Sequence, residues 1–174
     1  MYNVSNAYKA ALAKPVHRYK LRGMIAGINF TEADVLQSSF SVTNKCSKDG
    51  EVEIGGVYSA EMHITFVSDL GKSRYTWVGS EITVEEGLCI ALNSYEYVPL
   101  GVFYVSEANY TSQGIEITAF DACANLDKPL GFTQTTGTAY QIMQAVCLDC
   151  GLVLAQNDFD DFPNATINFV LPQE

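Results

Sequence analysis

The segment VPLGVFYVSEANY, Val98 to Tyr110, decides how the rest of the chain is read. Alternate residues of an extended chain face opposite ways, so Leu100, Val102 and Tyr104 share one face while Phe103 and Val105 share the other. Both faces are apolar, and a strand of this kind needs cover on both sides. One cover can be the protein's own core. The other must be a helix or another molecule, because broad exposed apolar surface is uncommon on lone soluble proteins.

The neighbouring sequence continues in short strand-like pieces. VYSAEMHITFV, Val57 to Val67, alternates most clearly: Tyr58, Ala60, Met62, Ile64 and Phe66 fall on one face, and Ser59, Glu61, His63 and Thr65 on the other. RYTWVG, SEITVEEG and LCIAL read as further strands between the turns SDLGKS and NSYE, and NYTSQG closes a hairpin onto IEITAF. Upstream, His17 to Phe30 reads as two strand pieces around Gly23 and Gly27, and SFSVT as a strand leading into the loop NKCSKDG. Ten Tyr, nine Phe and many Val, Ile and Thr suit pleated, half-buried surface, so the expected class is mainly β.

Two or three short helices punctuate these strands. SNAYKAALAK, Ser5 to Lys14, has Ser5 or Asn3 to cap it, Tyr8, Ala11 and Leu12 on one face, and Pro15 to stop it. TEADVL reads as one capped turn, and DACANLDKPLG as a short helical turn. TGTAYQIMQAVCLDCG carries the strongest helical pattern. Thr138 caps it, Tyr140, Ile142, Met143, Val146 and Cys147 form an apolar stripe, and Gly151 ends it. TINFVL reads as a last strand.

The chain of 174 residues suits one domain, and 48% hydrophobic against 17% charged residues is a globular composition. No apolar run approaches the eighteen or so residues that cross a bilayer, and no leader pattern opens the chain, so neither a membrane span nor export is expected. Cysteines 46, 89, 123, 147 and 150 are odd in number and follow no framework spacing, which predicts reduced thiols made in a cytoplasm. Net charge is −10, but Lys9, Lys14, Arg18, Lys20 and Arg22 precede any acid, so the remainder after Thr31 carries −15, five more negative than the whole. A body so acidic repels phosphate and excludes an ordinary nucleic-acid binder. The basic head can meet an acidic surface, including that of a neighbouring copy.

The sequence contains no recognisable catalytic constellation. His17 and His63 lie on separate predicted strands with no nucleophile signature, and the Gly-rich phosphate loops are absent. Cys147 and Cys150 form a C-x-x-C, the one candidate metal pair, but Cys46, Cys89 and Cys123 are single. The pair also sits at a helix C-terminus, where the dipole raises a thiol pKa, whereas redox pairs sit at N-termini. Asp158, Asp160 and Asp161 lack the Gly and Glu of a calcium loop. The expectation is no enzyme, no cofactor and no metal.

The segments SNAYKAALAKPVHRYKLRG, FTEADVL with SFSVTNKCS, YEYVPLGVFYVSEANY, ITAFDACANLDKPLG and TAYQIMQAVCLDCGL, taken in order, resemble the N-terminal part of phage and prophage tail hub proteins, also called baseplate-hub or tail-associated proteins. The resemblance implies a split β-barrel, with 1–155 forming the hub domain and 156–174 starting a following segment. It implies self-association, as a trimer in the full-length protein, contacts with neighbouring tail-tube and tail-tip proteins, and DNA as passing cargo without specific binding. Location in the virion tail after assembly in the bacterial cytoplasm follows, with any lytic activity in a later region. Interface candidates are Tyr8, Leu12, Val102, Phe103, Tyr104 and Val105. The rivals are a distal-tail adaptor ring protein and a zinc- or carbohydrate-binding module.

Overall fold

The computed structural model describes residues 2–44, 59–71, 76–127, 131, 136–154 and 165–168. One compact unit ends at Ala122 and a second begins at Cys123, so the strong helix groups with the later residues and not with the sheet. In the first unit, α1 (Asn6–Leu12) precedes β1 (Tyr19–Ile25), β2 (Ile28–Thr31), β3 (Ser41–Thr43), β4 (Glu61–Phe66), β5 (Glu81–Ala91), β6 (Ser94–Thr111) and β7 (Gly114–Phe120). All seven strands form one antiparallel sheet in the order β2-β1-β5-β6-β7-β4-β3. The mainly β class expected from composition is what the chain adopts.

The opening segment is the axis of this sheet. β6 is 18 residues long; up to Tyr104 it pairs with β5, and from Tyr104 onward it pairs with β7. Tyr104 alone among the β6 residues faces a partner on both sides, Glu81 and Phe120. Two bulges flank this exchange. Leu100 is left over between the Gly101–Val84 and Pro99–Glu85 pairs, beside a proline that has no N–H to give a ladder, and Ser106 is left over between Val105 and Glu107. The two halves of β6 therefore serve two sub-sheets that fold over one another.

Side chains from both sub-sheets fill one interior. Phe30 on β2 meets Phe66 on β4 edge-on at 5.0 Å, and Phe66 stacks on Trp77 at 5.7 Å. In a flat sheet β2 and β4 would lie five strand spacings apart, about 24 Å. Their contact requires the sheet to roll up. The chain after β2 crosses to the far edge, where Leu36 N–H donates to Thr65 O at 2.8 Å and Val67 N–H to Asp34 O at 2.9 Å. No ladder joins β2 to β3 among the described residues, so the barrel is split, as the resemblance implies.

Local chemistry explains most boundaries. Ser5 caps α1 by accepting from Tyr8 N–H, and Thr31 with Asp34 forms a capping box on the turn Glu32–Asp34. Ala26 and Gly27, both at positive φ, turn β1 into β2. Gly23, expected at a break, lies inside β1. Ala60, Met62, Ile64 and Phe66 are buried as their alternation predicts. Tyr58 and the loop from Lys45 to Gly50 lie outside the described residues.

Three expectations change. Thr76 to Gly79 form a turn and not a strand, because Trp77 drops into the core with no exposed surface and Gly79 takes φ 79°. SEITVEEG and LCIAL are one strand, β5. Gly87 does not break it, since the Tyr97 ring lies where a Cβ would be, 2.6 Å from that position, and fills the gap. The hairpin turn is Leu92–Asn93, with Asn93 at φ 56°, so Ser94 already belongs to β6.

In the second unit β8 (Thr136–Thr138) runs into α2 (Ala139–Asp149), and β9 (Thr166–Asn168) pairs with β8. Thr138 and Gln141 form a reciprocal capping box, and Gly151 at φ 71° ends the helix while Leu152 N–H reaches back to Cys147 O at 2.7 Å. Ile142 and Cys147 are buried as expected, whereas Met143 from the predicted stripe is 40% exposed.

Candidate functional site

β6 distributes its apolar side chains as the opening segment demands. Phe103 and Val105 point into the barrel and are only 2% and 3% exposed, so these two interface candidates are covered by the chain itself. Val102 and Tyr104 point outward and are 46% and 41% exposed. Leu12 is exposed on α1, and Tyr8 is half-buried.

The outer face contains more than the sequence reading assigned. Register places Met24, Thr83 and Val102 in one row across β1, β5 and β6, and Met24 and Leu100 are both exposed. With Tyr104 they make an apolar band on the outer face. A shallow depression of about 680 Å³ lies there, bounded by Tyr2, Arg22, Met24, Glu85 and Val102. Met24 was hidden because its strand neighbours, Gly23 and Ile25, give no alternating pattern.

One side of the band is polar and internally paired. Arg22 Nε donates to Glu85 Oε2 at 2.6 Å, and its guanidinium lies 3.7 Å from the Tyr97 ring centroid. Lys20 pairs with Glu32 at 2.9 Å and sits 5.1 Å from the Tyr95 ring centroid. The Lys20 bond holds the Glu32 carboxyl below its ordinary range. These cations are engaged, so their charge is spent locally and the tyrosine faces are covered.

α1 is fastened to β6 by a single carboxylate. Glu96 accepts from Ser5 N–H at 2.8 Å and from Ser5 Oγ at 2.5 Å, and these bonds hold its pKa below the ordinary 4.5. A carboxylate with a lowered folded pKa stabilises above its unfolded pKa, and that contribution is lost as pH falls through the folded value. Acidification below 4.5 is therefore expected to release α1 before the barrel unfolds. Hydrogen exchange of the Tyr8 and Lys9 amides is expected to accelerate there, and Glu96→Gln to weaken their protection at neutral pH. Protection in α1 unchanged by either would contradict the fastening.

Among the described residues, chemistry-bearing side chains do not converge. His63 on β4 bonds Glu61 Oε1 through Nε2 at 3.1 Å and Thr118 Oγ1 through Nδ1 at 3.3 Å. This line lies on an exposed sheet face that water reaches. His17 bonds Leu12 O at 3.0 Å, closing the chain after α1. Cys147 and Cys150 are buried free thiols, and burial first, then Cys150, raises the Cys147 pKa. Among the described residues no three His, Cys, Asp or Glu side chains gather as metal ligands; Cys46 and the acids from Asp158 to Asp161 lie outside them. No described helix is long and apolar enough to cross a membrane.

The first unit is thus a split β-barrel with an apolar outer band. No protein-family model matches the chain, and no curated protein matches it. Among solved structures it is similar to a chain of the "Virion of native gene transfer agent (GTA) particle", at 14% identity and a TM-score of 0.45, over 74% of this chain and 49% of that one. The chain therefore spans about half the length of the structure it matches.

Proposed function

We propose that this chain is a structural component of a phage or prophage tail: the barrel domain of the tail hub, joining tail tube to tail tip around a channel that passes DNA, and performing no reaction of its own. The observation that carries the reading is the outer face of β6. Leu100, Val102 and Tyr104, with Met24 beside them, stay exposed on a strand whose other face is already filled by Phe103 and Val105. A ring of subunits supplies the missing cover. The acidic body suits a conduit, since carboxylates repel passing phosphate. The five segments that resemble tail hub proteins give the assembly its identity.

Light scattering on the purified chain tests the contact. Self-association is expected, and replacing Val102 and Tyr104 together by Glu is expected to weaken it. Burying an unpaired charge costs more than about 2 kcal/mol, which is about thirtyfold in association. Circular dichroism should stay unchanged, because both side chains point away from the core. A wild-type chain that stays monomeric at every concentration, or one indifferent to both substitutions, overturns the reading.

A further inference from the structure

Among the described residues of the first unit, charge is segregated. Lys9, Lys14, Arg18, Lys20 and Arg22 are every Lys and Arg among the described residues. Lys20 and Arg22 are paired, with Glu32 and Glu85. Lys9, Lys14 and Arg18 are exposed on α1 and the loop after it, and have no ion-pair partner among the described residues. Beside them Leu12 and Val16 are 47% and 75% exposed. This end presents three cations with no described ion-pair partner around apolar side chains, against two carboxylates near α1, Glu86 and Glu96.

The far end of β6 presents the complement. Glu107 stands opposite Thr118, and Asn109 opposite Glu116, so the two carboxylates are diagonal neighbours on the outer face of the β6–β7 hairpin. Side chains so placed lie about 7–8 Å apart, close enough to repel. Both are exposed, and neither has a cation among the described residues. Tyr110 and Val67, close to this hairpin end, are 49% and 50% exposed. Glu96, which holds α1, and Glu107 are eleven strand residues apart. That is on the order of 30 Å, several screening lengths at physiological salt, so the two ends of one copy do not neutralise each other.

We propose that the basic α1 end of one copy docks on the acidic β6–β7 end of the next, a head-to-tail contact that repeats from copy to copy. The proposal rests on the self-association reading and adds its direction. A contact between two basic ends or two acidic ends would set like charge against like, and an antiparallel two-fold pair would stop at a dimer, whereas the head-to-tail arrangement relieves both ends and closes into a larger ring or continues as a filament.

Charge exchange tests it in the full chain by light scattering. Lys9→Glu, Lys14→Glu and Arg18→Glu in one variant, and Glu107→Lys with Glu116→Lys in a second, are each expected to lower self-association by about tenfold. Mixing the two variants is expected to restore it, because each then offers the other a complementary end. Wild-type association should fall as salt rises. Circular dichroism checks folding, and none of the five side chains makes a described bond whose loss would unfold the barrel. Loss in only one variant, or no recovery on mixing, overturns the head-to-tail contact. Association that ignores salt and both charge variants but falls with Val102→Glu overturns it while leaving the ring reading standing. A monomeric wild-type chain overturns both.

Discussion

Gly23→Ala is expected to remove about 3 kcal/mol of stability, a large share of the total of about 5–15 kcal/mol typical of a domain. Gly23 lies inside β1 with Val84 opposite on β5. A Cβ there would collide with the Thr83 carbonyl oxygen and stand 2.5 Å from Phe30 Cζ and 2.8 Å from Cε1. Neither obstacle yields easily. The carbonyl is part of the sheet backbone, and Phe30 is 1% exposed and held edge-on against Phe66. Urea unfolding should show a lower midpoint at an unchanged slope. Gly27→Ala is the control: nothing lies within 4 Å of its Cβ and only the positive φ of 81° opposes it, so about 1 kcal/mol is expected. A Gly23→Ala chain as stable as wild type would contradict the packing.

Phe66→Ala is expected to lose about 4 kcal/mol and to open the seam between the sub-sheets. Phe66 has no exposed surface and touches both Phe30 and Trp77, so its removal empties the place where the rolled sheet meets itself. Trp77 is the chain's single tryptophan, and its fluorescence reports that place directly. A red shift and loss of near-ultraviolet dichroism are expected in Phe66→Ala. Phe66→Leu, which keeps most of the volume, should lose about 1.5 kcal/mol and keep the signal. A buried, blue-shifted tryptophan in Phe66→Ala at native stability would mean that the edges are held by something else.

What was legible in the sequence is what local chemistry controls. Ser5 and Thr138 cap helices through bonds made within one turn, and Met62, Ile64 and Phe66 declare a buried face by alternation alone. Trp77 was misread because aromatic residues favour strands until burial in a core outweighs that preference. The continuity of β5 was illegible, since Gly87 is tolerated only through a tyrosine on another strand. The bulges at Leu100 and Ser106 depend on partners' register. At the candidate surface, alternation separated Val102 and Tyr104 from Phe103 and Val105, but only the fold decides which pair turns inward. Met24 joined the band through register with Thr83 and Val102, a relation that no local pattern encodes.

The place of Tyr104 as the residue common to both ladders also bears on how the chain comes off the ribosome. β5 precedes β6 in the order of synthesis and β4 precedes β7, so β5 waits with an open edge until residues 94–111 have emerged, and β4 waits for the β7 strand that pairs with the end of β6. The barrel's nascent halves share a late keystone, and the interval before it arrives is when their unpaired edges are open to pairing with another chain.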